Sequence, residues 1–205
     1  MVIMADFVVI ALFRHGLTEE NKRGGYLGWN DSPLVKNDFS LTLEQYEQYF
    51  CSDLQRCVTT AQILFPDGKP RPLKELREMH FGDWQGKTYD DLKEDLNYQA
   101  WVEDLRSIAP PNGESFAQFA ERVEGGWAII RNEILKMDSK TTAIVTHGGV
   151  IRYLLMKYAP VEKDFWDWKI PHGTGYEMYF DKEALRDGGK CTSLQAVPSM
   201  EKSLG

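Results

Sequence analysis

The residues best suited to chemistry follow two apolar segments of the chain. Arg14 and His15 come directly after an apolar run at residues 7–13. His147 comes directly after a second apolar run, Thr141–Thr146. An arginine suits a phosphate or a carboxylate, and an imidazole beside it can act as a ligand, a base or a nucleophile. A histidine at a strand end also serves to satisfy a turn carbonyl, but two matching positions favour a shared site.

Two further side chains fit such a site. Arg56 is predicted to lie in the first turn of a helix that starts at Ser52, where backbone N–H groups and the helix dipole favour an anion. The alternative for Arg56 is a surface pair with Asp53. Glu78 has aromatic neighbours, and desolvation raises the pKa of a carboxyl group and suits it to general acid catalysis. The alternative for Glu78 is an ion pair with a nearby arginine or lysine.

Phosphate chemistry accounts for all of these groups together. Transfer of a phosphoryl group spreads negative charge over its equatorial oxygens. Two arginines and one histidine can hold those oxygens while the other histidine attacks in line and the carboxylic acid protonates the leaving oxygen. Because the arginines supply the positive charge, no metal and no cofactor is expected. The chain has four histidines, and they are scattered without metal-ligand spacing.

The elements that must position these residues alternate between strand and helix. Apolar runs rich in β-branched residues predict strands, and capping-box patterns at Ser52 and Ser115 predict helix starts. The predicted strands cover residues 7–13, 49–51, 71–76, 141–146 and 175–180, the last at a sheet edge. The predicted helices cover 41–49, 52–64, 115–137 and 150–158, with one or two short helices in 82–111 and a loose tail after 187. This order predicts an α/β fold of three αβα layers around a mainly parallel sheet.

Composition limits the class of protein. The chain has 205 residues, is 42% hydrophobic and carries a formal net charge of −7, which suits one globular domain and argues against nucleic-acid binding. No apolar stretch approaches the ~20 residues of a membrane span, and the apolar start lacks the basic region of a signal peptide. Three cysteines without a CxxC pair indicate reduced thiols in the cytoplasm.

Five segments of the chain, in order, resemble the motifs of the histidine phosphatase superfamily, which has the phosphoglycerate mutase-like fold. They are residues 14–18 (RHGLT), 52–56 (SDLQR), 76–78 (LRE) with 81–86 (FGDWQG), 112–115 (NGES) and 146–149 (THGG). The resemblance implies a single domain over residues 1–205, with an inserted, mostly helical lid at about 82–112. Two leucines, Leu17 and Leu27, stand where the family has polar residues, and they either make the substrate side of the pocket more apolar or simply pack.

The resemblance also implies a role for each site residue. His15 would be the nucleophile that becomes phosphohistidine, and Glu78 would be the acid and later the base that activates water. Arg14, Arg56 and His147 would bind the phosphoryl group and stabilise its transition state. Three further residues are implied to bind substrate, namely Asn21, Gly28 and His172.

Within the family, hydrolysis is favoured over mutase activity. Phosphoglycerate mutases carry a long insertion after the third motif, whereas this chain is short there and resembles the small bacterial phosphatases, including the α-ribazole phosphatase type. The resemblance therefore implies a phosphomonoesterase acting on a small phosphorylated metabolite. The alternatives are a mutase-type phosphotransferase and a non-catalytic module that binds a phosphorylated ligand. The sequence leaves the physiological substrate and the oligomeric state open.

Overall fold

A six-stranded sheet forms the centre of the protein. The structure is a computed structural model and describes residues 6–35 and 45–197. The strands are β1 (Phe7–Arg14), β2 (Gln48–Ser52), β3 (Arg71–Leu73), β4 (Thr141–Thr146), β5 (Gly175–Asp181) and β6 (Ser193–Val197). Their order in the sheet is β3-β2-β4-β1-β5-β6.

The sheet is mixed but mostly parallel. β1, β4, β2 and β3 run parallel to one another, whereas β5 is antiparallel to both β1 and β6. The register of β1 on β4 places Arg14 opposite Thr146. The residues that follow these two strands, His15 and His147, therefore leave the sheet at the same edge, as the sequence predicts.

Helices cover both faces of the sheet. They are α1 (Glu19–Lys22), α2 (Gln55–Leu64), α3 (Tyr89–Leu92), α4 (Leu96–Glu103), α5 (Phe116–Met137), α6 (Gly148–Tyr158) and α7 (Lys182–Asp187). Alternate residues of β1 point to opposite faces, as a strand requires. Ile10 and Leu12 join the core cluster that includes residues of α5 and α6, whereas Ala11 and Phe13 join the cluster that includes residues of α2. The predicted α/β fold class with its three layers is thus confirmed.

The capping box at Ser115 forms as predicted, and the one at Ser52 does not. The Ser115 hydroxyl accepts from Gln118 N, and the Gln118 side chain accepts from Ser115 N, so α5 begins at Phe116. Ser52 instead ends β2, and α2 begins only at Gln55. The Ser52 hydroxyl lies 2.9 Å from a ring nitrogen of His147 rather than capping the helix.

Three other features differ from the predictions. The helix expected over 41–49 lies in part outside the described residues, and Gln48–Ser52 is a strand because it pairs with β4. β3 ends at Leu73, where a 3₁₀ turn at Lys74–Leu76 replaces the expected strand. β5 is not an edge strand, because part of the predicted loose tail forms β6 and pairs with it. The partly buried Leu194 anchors β6 against the core.

Within residues 6–35 and 45–197, no helix is long and apolar enough to span a membrane.

Candidate active site

Three histidine rings meet at the edge of the sheet where β1 and β4 end. The backbone N–H of His15 donates to the carbonyl of Thr146 at 2.9 Å, which ties the two strand ends together. The ring centroid of His15 lies 5.2 Å from that of His147 and 5.2 Å from that of His172. The sequence predicts all three in the site, and the fold brings them together.

His15 is held as a neutral imidazole with a defined tautomer. The residue is 3% exposed, and Nδ1 lies 2.7 Å from the carbonyl oxygen of Gly16. Because a carbonyl only accepts, Nδ1 carries the proton and Nε2 keeps its lone pair. Burial lowers the pKa of His15 well below its ordinary value, and the charges of Arg56 and Arg14 lower it further. The ring therefore suits nucleophilic attack through Nε2.

His147 lies beside His15 at the start of α6. It is fully buried, and its Nε2 lies 2.9 Å from the hydroxyl of Ser52 and 3.4 Å from the sulfur of Cys57. Burial lowers its pKa well below the ordinary value, and the charge of Arg56 adds to that shift. His147 is therefore also a neutral hydrogen-bonding group.

Arg14 reaches the site from the end of β1. Its Nη1 donates to the carbonyl of Ile170 at 2.5 Å. Burial lowers its pKa to about 10, so the guanidinium stays charged at neutral pH. Its buried Nε has no hydrogen-bond partner in the described part of the chain. An unpaired buried donor is costly, and an anionic ligand oxygen would satisfy it.

Arg56 lies in the first turn of α2, as predicted, but it is buried rather than on the surface. Its Nη1 donates to Asn30 O at 2.8 Å and to Asp31 Oδ1 at 3.1 Å, and its Nη2 donates to Gly28 O at 2.6 Å. The alternative pair with Asp53 does not form, because Asp53 binds Arg77 instead.

Asp31 places a carboxylate at the start of α2, where the sequence favours a bound ligand anion. Its carboxylate accepts from the backbone N–H of Gln55 at 2.8 Å and from that of Arg56 at 3.3 Å. It therefore caps the helix and orients the arginine at the same time.

Two backbone N–H groups hold the Glu78 carboxyl group, one from its neighbour in the chain and one from the start of α6. Met79 N donates to Oε1 at 3.0 Å, and Gly149 N donates to Oε2 at 2.9 Å. A Cβ at Gly149 would lie 2.2 Å from Oε1, so a glycine is needed for this approach. The nearby Arg77 pairs with Asp53 and not with Glu78.

Arg14, His15 and Glu78 open onto one cavity of about 180 Å³. Its polar lining comprises Arg14, His15, Asn21, Glu78 and Arg152. Its apolar lining is largely aromatic and includes Tyr26, Phe81, Trp101, Phe119, Phe165 and Trp166.

The other predicted site residues lie around this cavity rather than on its wall. Arg56 and His147 are buried close to His15. His172 lies 3.3 Å, through Nδ1, from the His15 carbonyl. Gly28 gives its carbonyl to Arg56, and a Cβ there would lie 2.6 Å from Met79 O. Leu27 is on the cavity wall and makes that side apolar.

The sequence reasoning missed Arg152. Its Nε donates to Trp168 O at 3.0 Å, and its guanidinium lies 5.7 Å from the ring centroid of Trp166. Burial lowers its pKa. The sequence indicates only that Arg152 lies five residues after His147, on the helix that follows it. That Arg152 lines the cavity follows from the fold. Across the described ranges, no group of three His, Cys, Asp or Glu side chains is arranged to hold a metal ion.

Comparison with known proteins decides the family. The model of the histidine phosphatase superfamily (branch 1) matches residues 10–186. The chain belongs to this superfamily. A similar relative is the adenosylcobalamin/α-ribazole phosphatase of Salmonella typhimurium, 32% identical over 79% of this chain and 85% of the relative. Another is a phosphoglycerate mutase of Schizosaccharomyces pombe, 33% identical over 72% of this chain and 78% of the relative.

Solved structures of the superfamily share the fold. The crystal structure of a putative α-ribazole-5′-P phosphatase from Escherichia coli is 26% identical, with a TM-score of 0.80 over 97% of this chain and 99% of that one. A phosphoglycerate mutase from Bacillus anthracis, 22% identical, has a TM-score of 0.77 over 96% and 95% of the two chains. These likenesses confirm the predicted superfamily, its fold and the predicted histidine phosphatase type of enzyme.

Proposed function

We propose that this protein is a phosphomonoesterase that hydrolyses a small phosphate ester through a phosphohistidine at His15. The observation that carries the proposal is the state of His15. Its Nδ1–H is fixed on Gly16 O, its ring is kept neutral by burial, and it shares a cavity with Arg14 and Glu78. A neutral imidazole with one free lone pair beside a fixed cation is what attack on a phosphate ester requires.

In the first step, the lone pair of His15 Nε2 attacks phosphorus. A P–N bond forms as the P–O bond to the alcohol breaks, and Glu78 in its acid form donates a proton to the leaving oxygen. Arg14, Arg56 and His147 hold the equatorial oxygens, where negative charge is spread in the transition state.

In the second step, water attacks the phosphohistidine. The Glu78 carboxylate takes a proton from the water as the new P–O bond forms and the P–N bond breaks. Inorganic phosphate leaves, His15 returns to its neutral form, and Glu78 is again the acid. The same phosphoryl-binding side chains serve both steps.

Asn21 is proposed to donate its amide to the same phosphate. The Thr18 hydroxyl donates to Asn21 Oδ1 at 2.9 Å, and Asn21 lies on the cavity wall. With its oxygen occupied in this way, the amide N–H₂ is the end available to a ligand. His172 is proposed to border the bound substrate, since its ring packs against His15.

The substrate is proposed to carry a planar, apolar ring near the phosphate. A cavity of about 180 Å³ is smaller than the ~300–1,000 Å³ of sites that enclose a drug-sized ligand, so it accommodates the phosphoryl group and the adjoining part of the alcohol. The rest of the substrate would extend along the aromatic wall towards Trp166, whose side chain is 54% exposed. The names of the phosphatase relatives make α-ribazole phosphate the first compound to test.

The segment at 82–112 is proposed to act as the lid over this cavity. It contains α3 and α4, and two of its residues, Trp101 and Leu105, lie on the cavity wall.

We further propose that the protein works in the cytoplasm on small molecules, without a nucleic-acid or membrane partner.

Mutase activity is the second candidate, because relatives of similar identity are named phosphoglycerate mutases. The α-ribazole phosphatase relatives match over more of their length, 85% against 78–79%. Feeding 3-phosphoglycerate with a catalytic amount of 2,3-bisphosphoglycerate separates the two activities. The proposal predicts release of inorganic phosphate from a ring-bearing phosphate ester and no interconversion of phosphoglycerates. Interconversion without phosphate release would establish the mutase instead.

A further inference from the structure

The backbone that carries Glu78 belongs to no strand or helix. It connects the 3₁₀ turn at Lys74–Leu76 to a second one at Gly82–Trp84. A general acid must lie within hydrogen-bond distance of the atom that it protonates, so this loop has to be fixed by other parts of the molecule. The two N–H groups on the Glu78 carboxyl fix only the end of the side chain.

Arg122, on α5, donates hydrogen bonds to the backbone that carries Glu78. Its Nη1 donates to the carbonyls of Glu75 and Arg77, both at 2.9 Å. Its Nη2 donates to the carbonyl of Glu78 itself, at 3.2 Å. One guanidinium therefore binds three carbonyls between Glu75, in the first 3₁₀ turn, and Glu78, in the loop. The indole of Trp29 adds a further bond to the Glu78 carbonyl, from Nε1 at 2.9 Å.

Glu114 fixes the guanidinium in turn. Its two carboxylate oxygens accept from Arg122 Nε at 2.8 Å and from Nη2 at 2.7 Å, a paired contact across the fork. The two side chains are only 16% and 11% exposed. Glu114 also binds the far end of the loop, because its carboxylate accepts from His80 N and its own N–H donates to His80 O. The ion pair therefore spans the loop on both sides of Glu78.

We propose that Arg122, oriented by Glu114, is a positioning residue that sets the place of the Glu78 carboxyl group in the cavity. This inference rests on the proposed function, in which Glu78 protonates the leaving oxygen. The planar fork of an arginine can bind several carbonyls and a carboxylate at once, and a lysine ammonium cannot reproduce that geometry. Replacing Arg122 by lysine would therefore keep the charge but release the loop.

If Arg122 is replaced by lysine, the loss of activity should be confined to substrates whose leaving group needs a proton. General acid catalysis contributes about 10²–10⁴-fold, and a misplacement of about 1 Å can cost about 10²-fold. A phenol leaving group, with a pKa of about 10 like that of tyrosine, gains from protonation. A nitrophenol leaves as its anion without a proton. A residue that only stabilises the fold or binds the phosphate would affect both esters equally.

The test compares phenyl phosphate with p-nitrophenyl phosphate by kcat/KM, which reports the steps up to phosphoryl transfer and excludes hydrolysis of the phosphoenzyme. Arg122→Lys is expected to lower kcat/KM for phenyl phosphate about 10–100-fold and for p-nitrophenyl phosphate less than about 3-fold. In a Glu78→Gln background, Arg122→Lys is expected to add no further loss on phenyl phosphate. Arg131→Lys, a half-buried arginine on the same helix, is the matched control and should change neither ester.

Equal losses on the two esters, no loss on either, or a full further loss in the Glu78→Gln background would overturn the inference. If Arg122→Lys fails to fold, Glu114→Gln takes its place, since it removes the ion pair while leaving the guanidinium against the carbonyls. It should shift the ratio of the two esters in the same direction by a smaller factor, and an unchanged ratio would contradict the inference. Failure of the proposed function would look different, because His15→Ala would then keep activity on both esters.

Discussion

At the residue scale, the site depends on histidines that burial keeps neutral. His15, His147 and His172 all have pKa values lowered chiefly by burial, and nearby arginines add to the shift. Burial, helped by the same arginines that are proposed to bind a phosphoryl group, thus lowers the pKa of His15, the proposed nucleophile. The arrangement gives a charged pocket and an uncharged nucleophile within the same few ångströms.

This neutrality has a measurable effect on stability. Burial lowers the pKa of His172 to about 3, against about 6.5 in the unfolded chain. Between these values the unfolded state binds a proton that the folded state does not. The folded state therefore loses stability as the pH falls below about 6.5. His172→Gln removes this proton uptake. When the pH is lowered from 7 to 5, the free energy of unfolding of the variant should therefore fall by about 2 kcal/mol less than that of the wild type.

Urea unfolding at the two pH values, without phosphate in the buffer, measures this difference. Carboxylates that titrate in the same range contribute equally to both proteins and cancel. Parallel loss of stability in wild type and variant would show that His172 titrates freely in the folded protein.

At the element scale, each functional side chain owes its place to where a strand or helix begins or ends. Arg14, His15 and His147 lie where β1 and β4 end. The Glu78 carboxyl group accepts a hydrogen bond from the start of α6. The start of α2 carries Arg56, with Asp31 as its cap. Both helix starts thus hold a carboxylate, Asp31 on α2 and Glu78 on α6, which the positive end of a helix dipole favours.

The cap on α2 gives a prediction about stability. Asp31 accepts two helix N–H groups and pairs with Arg56, so Asp31→Ala should lower the free energy of unfolding by about 1–2 kcal/mol. Asp31→Asn keeps an acceptor oxygen and should lower it less. Asp53→Ala is the control, because it breaks the partly exposed pair with Arg77 and should cost about 1 kcal/mol or less. Denaturant unfolding that ranks Asp53→Ala as the more costly change would refute the capping role.

The strands and helices with the strongest local patterns were predictable from sequence. β1, β4 and α5 have long apolar or amphipathic patterns, and α5 also has a local capping box. The start of α2 was not predictable, because its cap comes from Asp31 and the hydroxyl of Ser52 is used by His147. Both contacts join residues far apart in the sequence, which no local pattern encodes.

The dependence on contacts between distant residues also explains which site residues the sequence predicts and which it does not. Arg14, His15 and His147 follow strands whose parallel arrangement could be inferred, so their proximity could be inferred as well. Arg152 and Arg122 lie on helices, and nothing in their local sequence indicates that one faces the cavity and the other the loop of Glu78. Their positions in the site depend on tertiary contacts alone.

At the scale of the whole molecule, a chain of net charge −7 builds a cationic pocket. Charge screening at physiological salt acts over about 8 Å, so Arg14, Arg56 and Arg152 determine the local field more than distant carboxylates do. Arg14 and Arg152 line the cavity, and Trp101, from the segment at 82–112, forms part of its aromatic wall. The proposed phosphate binding thus depends on this local cluster of cations, and the adjacent aromatic wall is proposed to select the alcohol part of the substrate.

The most direct test of the account is to trap the phosphoenzyme. Glu78→Gln mixed with p-nitrophenyl phosphate should form the phosphohistidine rapidly, because this leaving group needs no acid, and should hydrolyse it slowly, because the base is missing. Rapid quenching at high pH followed by peptide mass spectrometry should then locate one acid-labile phosphoryl group on His15, and the His15→Ala variant should show none. A phosphoryl group on another residue, or full phosphatase activity in His15→Ala, would contradict the account.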